Sequence, residues 1–299
     1  MNIRFGNLAS NQLHNPTMTA MQEKKLLETA GHTVTWKEYL NGVHAVLALS
    51  SGAIDFAVCG VVPVLTVQAQ DPKLVILAGA NTNGSSLVVN NAIKTIKDLD
   101  GKKIATPGLG TLQDAILTQW ARENKIRLRR MMVIPANMTS FMQQGNVDGF
   151  FVWAPYPAEA LANTNWRELL TSHDLSPNHQ CCVLVTTESV MRKEPEKVRV
   201  LLKAYLDAYK WFLDNQYEFV KLTAKSVGMS EEVVVKALKT VKHPYPPFCD
   251  EASMRGMMQS LVASGKIVGV REVDMEPFMK KLYRPELLED LSGAARPSR

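Results

Sequence analysis

Residues 101–114, GKKIATPGLGTLQD, decide how the rest of the chain is read. Ile104 and Ala105 form a short apolar strand, Pro107, Gly108 and Gly110 mark a turn, and Thr111 opens a helix. Strand, glycine turn and helix start, in that order, are the repeating joint of an α/β protein. The joint also aims free backbone N–H groups and the positive end of a helix dipole at one place, which suits a small anion. Taken alone it reads first as an ordinary βα turn, so the flanking chain has to decide.

Upstream, strands and helices alternate. Ile3–Gly6 is a strand, Thr19–Ala30 an amphipathic helix, Thr33–Trp36 a strand, Val43–Leu49 a helix, Ile54–Val58 a strand, Val61–Ala69 a helix, and Leu74–Ala78 an almost wholly apolar strand. This alternation predicts a parallel α/β sheet covered on both faces. Ser86–Asn90 reads as a further strand before the 101–114 joint. Beyond the joint come a helix over Leu112–Asn124, a strand at Met131–Ile134, a helix at Met138–Gln144 and a strand at Val147–Trp153 that stops at Ala154-Pro155-Tyr156-Pro157. Val183–Thr186 is one more strand, and from Glu196 onward the chain is largely helical.

One segment occurs twice. Ser51-Gly52-Ala53-Ile54-Asp55-Phe56 and Gln144-Gly145-Asn146-Val147-Asp148-Gly149 each follow a helix, carry Gly-x-apolar-Asp and open a buried strand. They read as one architectural unit used once in each half of the chain. Two similar α/β lobes would hold a ligand in the crevice at the carboxyl ends of their strands.

Composition fits a globular protein: 299 residues, 46% hydrophobic and 21% charged, with a net charge of +5. Lys and Arg are scattered apart from Arg127-Leu128-Arg129-Arg130, which reads as the end of a helix, so no nucleic-acid surface is indicated. The four cysteines, Cys59, Cys181, Cys182 and Cys249, include no C-x-x-C pair and read as buried free thiols. No apolar window reaches the length of a membrane span, and Met1–Phe5 already reads as strand, without a signal peptide. Either the protein is cytoplasmic or an export segment has been removed.

Catalytic signatures are absent: no P-loop, no H-E-x-x-H, no G-x-S-x-G. Gly108-x-Gly110 begins like a dinucleotide fingerprint, but Gln113 stands at the third glycine. The histidines, at 14, 32, 44, 173, 179 and 243, lack helical ligand spacing, so neither a metal nor a cofactor is expected. What remains is a set of neutral polar, glycine and aromatic positions at strand ends. Ser10, Asn11, Gln12 and His14 follow the first strand, Gly60 the third, and Gly84 and Ser85 precede the Ser86 strand. Gly110, Thr111 and Gln113 belong to the 101–114 joint, and Trp153 and Tyr156 close the strand of the second half. Amides, hydroxyls and helix N-termini hold an anion without a counter-cation, while an aromatic face covers its organic part.

The segments Gly42–Ala48, SGAIDFAVCG, DLDGKKIATPGLGT, GNVDGFFVWAPYPAEA and VTTESVMRKEPEKVRVLLKAYLDA, in this order and spacing, resemble the nitrate/sulfonate/taurine group of ABC-transporter solute-binding proteins. That group includes the binders of thiamine-pyrimidine precursors, and the resemblance covers roughly residues 1–225. It implies the type II periplasmic-binding-protein fold: two Rossmann-like α/β lobes joined by two extended crossings, with a helical C-terminal part. Lobe I would be residues 1–87 and 187–299 and lobe II residues 88–186, with crossings near Ser86–Asn90 and Cys182–Thr186. It further implies a monomeric receptor, periplasmic or anchored at the cell surface, that closes by hinge motion on a small organic or inorganic anion. Its partners would be an ABC permease and the ATPase subunit of that permease.

Two alternatives follow from the same resemblance. One is a receptor for an uncharged pyrimidine stacked on Trp153 and Tyr156, with Glu159 or Asp114 facing the ring nitrogens. The other is an enzyme like the fungal thiamine-pyrimidine synthases, or a cytoplasmic sensor. In those synthases a lysine and a histidine stand where this chain has Cys59 and Pro63, and only Cys181-Cys182 match their cysteine run. Without the lysine no Schiff base to pyridoxal phosphate can form.

Overall fold

The computed structural model of the chain describes residues 1–9 and 11–296. In the first sheet β1 (Asn2–Leu8), β2 (Thr33–Tyr39), β3 (Phe56–Gly60) and β4 (Leu74–Asn83) come in chain order, and β10 (Gln180–Thr187) and β11 (Val241–Lys242) join later. The second sheet is built from β5 (Ser85–Asn90), β6 (Lys103–Thr106), β7 (Arg129–Met132), β8 (Gly149–Trp153) and β9 (Trp166–Thr171). The spatial orders are β11-β4-β10-β3-β1-β2 and β7-β6-β8-β5-β9. Within each sheet three strands run parallel, β2-β1-β3 and β7-β6-β8, and an antiparallel strand, β10 or β5, lies beside the third. The chain changes sheet at Gly84 and again between Thr171 and Gln180.

The twice-used segment is the same structure in both places. Gly52 and Gly145 turn the chain with φ of +75° and +69°, the left-handed region that glycine enters at no steric cost. The following Asp then adds a side-chain rung to the parallel ladder. Asp55 Oδ2 accepts from the Arg4 N–H of β1 at 2.9 Å, and Asp148 Oδ2 accepts from the Lys103 N–H of β6 at 2.8 Å. In each case the Asp N–H donates back to the carbonyl of the same partner, at 2.8 Å. One carboxylate thereby fixes where the third parallel strand starts against the first.

The helix Pro195–Asp214 packs its apolar stripe on the first sheet, and Tyr205 and Tyr209 donate to the Gly79 and Ala80 carbonyls of β4 at 2.8 and 3.0 Å. The main apolar core extends from the first sheet to Phe151 of the second and to Leu112 and Ile116 of the Leu112–Glu123 helix, and a smaller one around Phe150 and Trp153 covers the second sheet's other face.

Four sequence expectations change. The sheets are mixed rather than wholly parallel, because β10, arriving after the second sheet, runs antiparallel to β3 and β4, and β5 runs antiparallel to β8 and β9. The Thr19–Ala30 helix is two pieces, Pro16–Glu23 and Leu26–Thr29, broken where Lys25 takes φ of 49°. The basic run ends no helix: that helix stops at Glu123, and Arg129 and Arg130 belong to β7. Arg127 is engaged with Asp100 and Arg130 with Asp114. Strands β9 and β11 were not legible, the first for want of apolar alternation and the second because it has two residues.

Asp55 is buried, with the Arg4 guanidinium on it and Lys197 Nζ at 3.6 Å. Burial by itself would raise its pKa, but the hydrogen bonds from Arg4 and the charge of Lys197 outweigh burial and hold it below the ordinary carboxylate value. The ionised group therefore stabilises the fold at neutral pH, and that contribution is lost as pH falls through the lowered pKa. Asp55→Ala should cost about 3 kcal/mol, since it strands two partners, and Asp148→Ala about 1 kcal/mol. Urea unfolding at neutral pH measures both, and equal losses would contradict this account.

Candidate functional site

The carboxyl ends of β1, β3 and β8 and the turn after β6 meet at a small cavity between the sheets, about 20 Å³ in volume. Leu8, Asn11, His14, Gly42, Gly60 and Pro63 line it from the first sheet's side, with Cys181 and Cys182 at the start of β10. Thr111, Leu112, Gln113 and Trp153 line it from the second. Larger grooves lie elsewhere, one of about 970 Å³ beside Tyr245 and Arg255 and one of about 440 Å³ next to the site, between Val62 of the Val61–Gln70 helix and Ala115 and Ile116 of the Leu112–Glu123 helix.

Three helices begin at this cavity: Gly42–Ser50, Val61–Gln70 and Leu112–Glu123. Their first turns are close enough that a Cβ on Gly42 would sit 3.4 Å from Gly60 N, and one on Gly60 would sit 3.5 Å from Leu112 Cβ. Asn41 caps the first helix by accepting from Val43 N–H and His44 N–H, and Thr111 caps the third by accepting from Asp114 N–H. No side chain of the described residues caps the second. Helix geometry leaves the Val61, Val62, Leu112 and Gln113 amides without a partner inside their own helices, and each helix end carries about half a positive charge. Trp153 Nε1 is buried without an acceptor among the described residues, a donor whose neglect costs about 1–3 kcal/mol. Among the described residues no lysine or arginine lines the cavity. Behind it, Arg130 binds the Asp114 carboxylate at the start of the third helix, and Lys266 Nζ lies 3.8 Å from that carboxylate. Two cations face one carboxylate there, which leaves the background positive.

The positions expected from the sequence divide. Asn11, His14, Gly60, Thr111, Gln113 and Trp153 stand on the cavity wall. Gly84 and Ser85 stand one layer behind it: the Gly84 carbonyl meets His14, and Ser85 Oγ accepts from Gln113 Nε2 at 3.1 Å. Gln12 points elsewhere, its Nε2 donating to Ser226 Oγ at 3.0 Å. Gly110 is exposed at the rim, and Tyr156 packs into the core on the second sheet's other face. Ser10 lies outside the described residues. The Thr111 hydroxyl is committed to the turn, since it donates to Gly108 O at 2.7 Å, so backbone amides are the donors this junction offers. The carboxylates of the pyrimidine alternative are misplaced: Asp114 is engaged by cations, and Glu159 is exposed and off the cavity.

Sequence reasoning missed Leu8, Gly42, Pro63, Leu112 and the two cysteines as wall residues. Of these only the adjacent pair Cys181-Cys182 stands out in the sequence, and its meeting with His14 does not, because 167 residues separate them. His14 is fully buried, its Nε2 lies 3.0 Å from Gly84 O, and a carbonyl can only accept, so Nε2 carries the proton. Nδ1 is then bare, 3.0 Å from Asn81 Nδ2 and 3.3 Å from Cys181 Sγ. Cys181 Sγ and Cys182 Sγ are 3.8 Å apart. The hydrogen bond from Cys181, with help from Asn11, outweighs burial and holds the Cys182 thiol below the usual thiol range, and the same bond together with burial pushes Cys181 up.

Residues 8–228 match the NMT1-like family. The taurine-binding periplasmic protein of Escherichia coli is 26% identical over 216 residues, an alignment that covers 69% of this chain and 66% of that protein. The periplasmic aliphatic sulphonate binding protein SsuA of Escherichia coli superposes with a TM-score of 0.75 at 21% identity, covering 100% of this chain and 96% of that one. The periplasmic nitrate-binding protein NrtA of Synechocystis PCC 6803 gives 0.79 at 16% identity, covering 98% and 88%. The two-sheet architecture is thus that of periplasmic binding proteins, and these relatives are binding proteins rather than enzymes.

At Gly84, φ is +92°, and a Cβ there would lie 2.7 Å from His14 Cε1 and 2.9 Å from Val241 Cγ2. Gly84→Ala should destabilise the fold by about 2–3 kcal/mol and shift the imidazole nitrogen resonances of His14. Unchanged stability and unchanged resonances would show that the ring is not held by this contact.

Proposed function

The chain belongs to the NMT1-like family, and on that footing we propose that it is the extracytoplasmic receptor of an ABC importer for a small anion of sulfonate, taurine or nitrate type. The observation that carries this is the convergence of three helix N-termini on a cavity between the sheets, with a cationic background and an unpaired indole N–H. A sulfonate or nitrate has oxygens to take several N–H donors at once and needs no guanidinium if the dipoles are fixed. Trp153, Leu8 and Pro63 offer the apolar contact an organic sulfonate requires.

The cavity has room for about one water, so a sulfonate enters only when the sheets part. The lobes part where the chain changes sheet, at Gly84 and between Thr171 and Gln180, a few residues before the 87/88 and 186/187 bounds that the resemblance implied, and these two joints take up the motion. The anion first meets one lobe, and closure adds the amides of the other and removes water, which strengthens each bond. The closed monomer then passes its cargo to a permease driven by a separate ATPase, without making or breaking a bond in the ligand.

A thermal-shift panel of taurine, methanesulfonate, nitrate and an aminopyrimidine tests the ligand class, because a ligand that binds only the folded form raises its melting temperature. An anion should give the largest shift, and a shift from the pyrimidine alone would overturn the proposal. Thr111→Asp keeps an N-cap but places a carboxylate at the anion's position, and should weaken binding at least ~100-fold, whereas Thr111→Asn should keep it near wild type. Equal affinities in the two variants would remove this helix start from the site.

A further inference from the structure

We propose that His14 Nδ1, Cys181 Sγ and Cys182 Sγ form a three-ligand site for Zn²⁺, with its fourth position open to the interlobe cavity. Nothing local in the chain announces it, since 167 residues separate His14 from Cys181. All three are buried, and their ligating atoms lie within 4.8 Å of one another.

Neighbouring residues of a regular strand point to opposite faces, so two adjacent cysteines should not share a ligand. Here β10 is irregular on both sides of Cys182, where its register against β4 shifts, and the two sulfurs come to 3.8 Å. The separations suit the metal. A tetrahedral zinc with Zn–S of about 2.3 Å and Zn–N of about 2.0 Å sets S···S near about 3.8 Å and N···S near about 3.5 Å. The corresponding distances are 3.8 Å between the sulfurs and 3.3 Å from Nδ1 to Cys181 Sγ.

The surroundings suit it too. A histidine that ligates zinc usually donates its other ring N–H to a carbonyl or carboxylate, and His14 Nε2 already does so to Gly84 O at 3.0 Å. Asn81 Nδ2, which donates to Nδ1, has a second acceptor in Asn83 O at 3.4 Å and can release the nitrogen. Asn11 Nδ2 lies 3.9 Å from Cys182 Sγ, placed to donate to a thiolate. Both thiols lose their protons on binding, and two thiolates neutralise the divalent ion in a buried setting. The same three ligands and a water are one of the known open zinc arrangements. The cavity they line is the path in and the space for the fourth ligand, at about 20 Å³.

The test uses the full chain, stripped with chelator and reduced with a phosphine, titrated with Zn²⁺ by calorimetry and with Co²⁺ by absorbance. One equivalent of Zn²⁺ should bind, and Co²⁺ should show thiolate-to-metal charge transfer with tetrahedral ligand-field bands. C181S and C182S should each weaken zinc binding at least ~100-fold, and C249S should leave it unchanged. Absence of binding, binding that survives C182S, or a cobalt complex without the thiolate band would overturn the proposal. The cobalt spectrum of the wild-type chain keeps the test decisive should the variants fail to fold. Neither readout depends on a transported anion, so this proposal and the receptor proposal fail separately.

Discussion

Three helices that start at one small cavity between the sheets are the constraint on which the rest depends. Gly42 and Gly60 keep these first turns close, since a Cβ on Gly42 would sit 3.4 Å from Gly60 N and one on Gly60 3.5 Å from Leu112 Cβ, and two different sheets end at the same place. Positive helix ends repel one another, so the arrangement costs stability unless something negative joins it. Asp114 supplies one such charge but is matched by Arg130 and Lys266, which leaves the cavity itself uncompensated. An electrostatic deficit of that kind, built from backbone rather than side chains, accounts for a cavity without lysine or arginine in a chain whose relatives bind anions.

The sheets place these helix ends through a repeated device. In each, a glycine turn followed by an aspartate sets the third parallel strand against the first, by the same pair of bonds. Each sheet then accepts an antiparallel strand next to that third strand, and these two strands, β5 and β10, follow the two places where the chain changes sheet. The halves differ at the aspartate. Asp55 carries Arg4 and Lys197 and anchors the Pro195–Asp214 helix, whereas Asp148 is half-buried and serves the ladder alone.

Much of this was legible in the sequence, for identifiable reasons. Apolar alternation and glycine turns exposed the 101–114 joint and the twin segments, because both are local. The strand ends were legible for the same reason, and Asn11, His14, Gly60, Thr111, Gln113 and Trp153 are on the cavity wall. Positions beside them were not separable from sequence. Gln12 turns away to Ser226, and Tyr156 serves the core beyond the second sheet, a difference set by packing and not by residue type. The backward run of β10 and its irregular register were invisible, and with them the meeting of Cys181 and Cys182 with His14. Long-range pairing leaves no periodic trace in a chain.

The central claim is that backbone amides from helix starts on both sheets hold the ligand together. Amide hydrogen exchange at Val61, Val62, Leu112 and Gln113, with and without a saturating anion chosen for the largest melting shift, tests it most directly. Exchange should slow at all four amides on addition of that one ligand. Protection confined to one pair, or found only at the outer grooves, would contradict it.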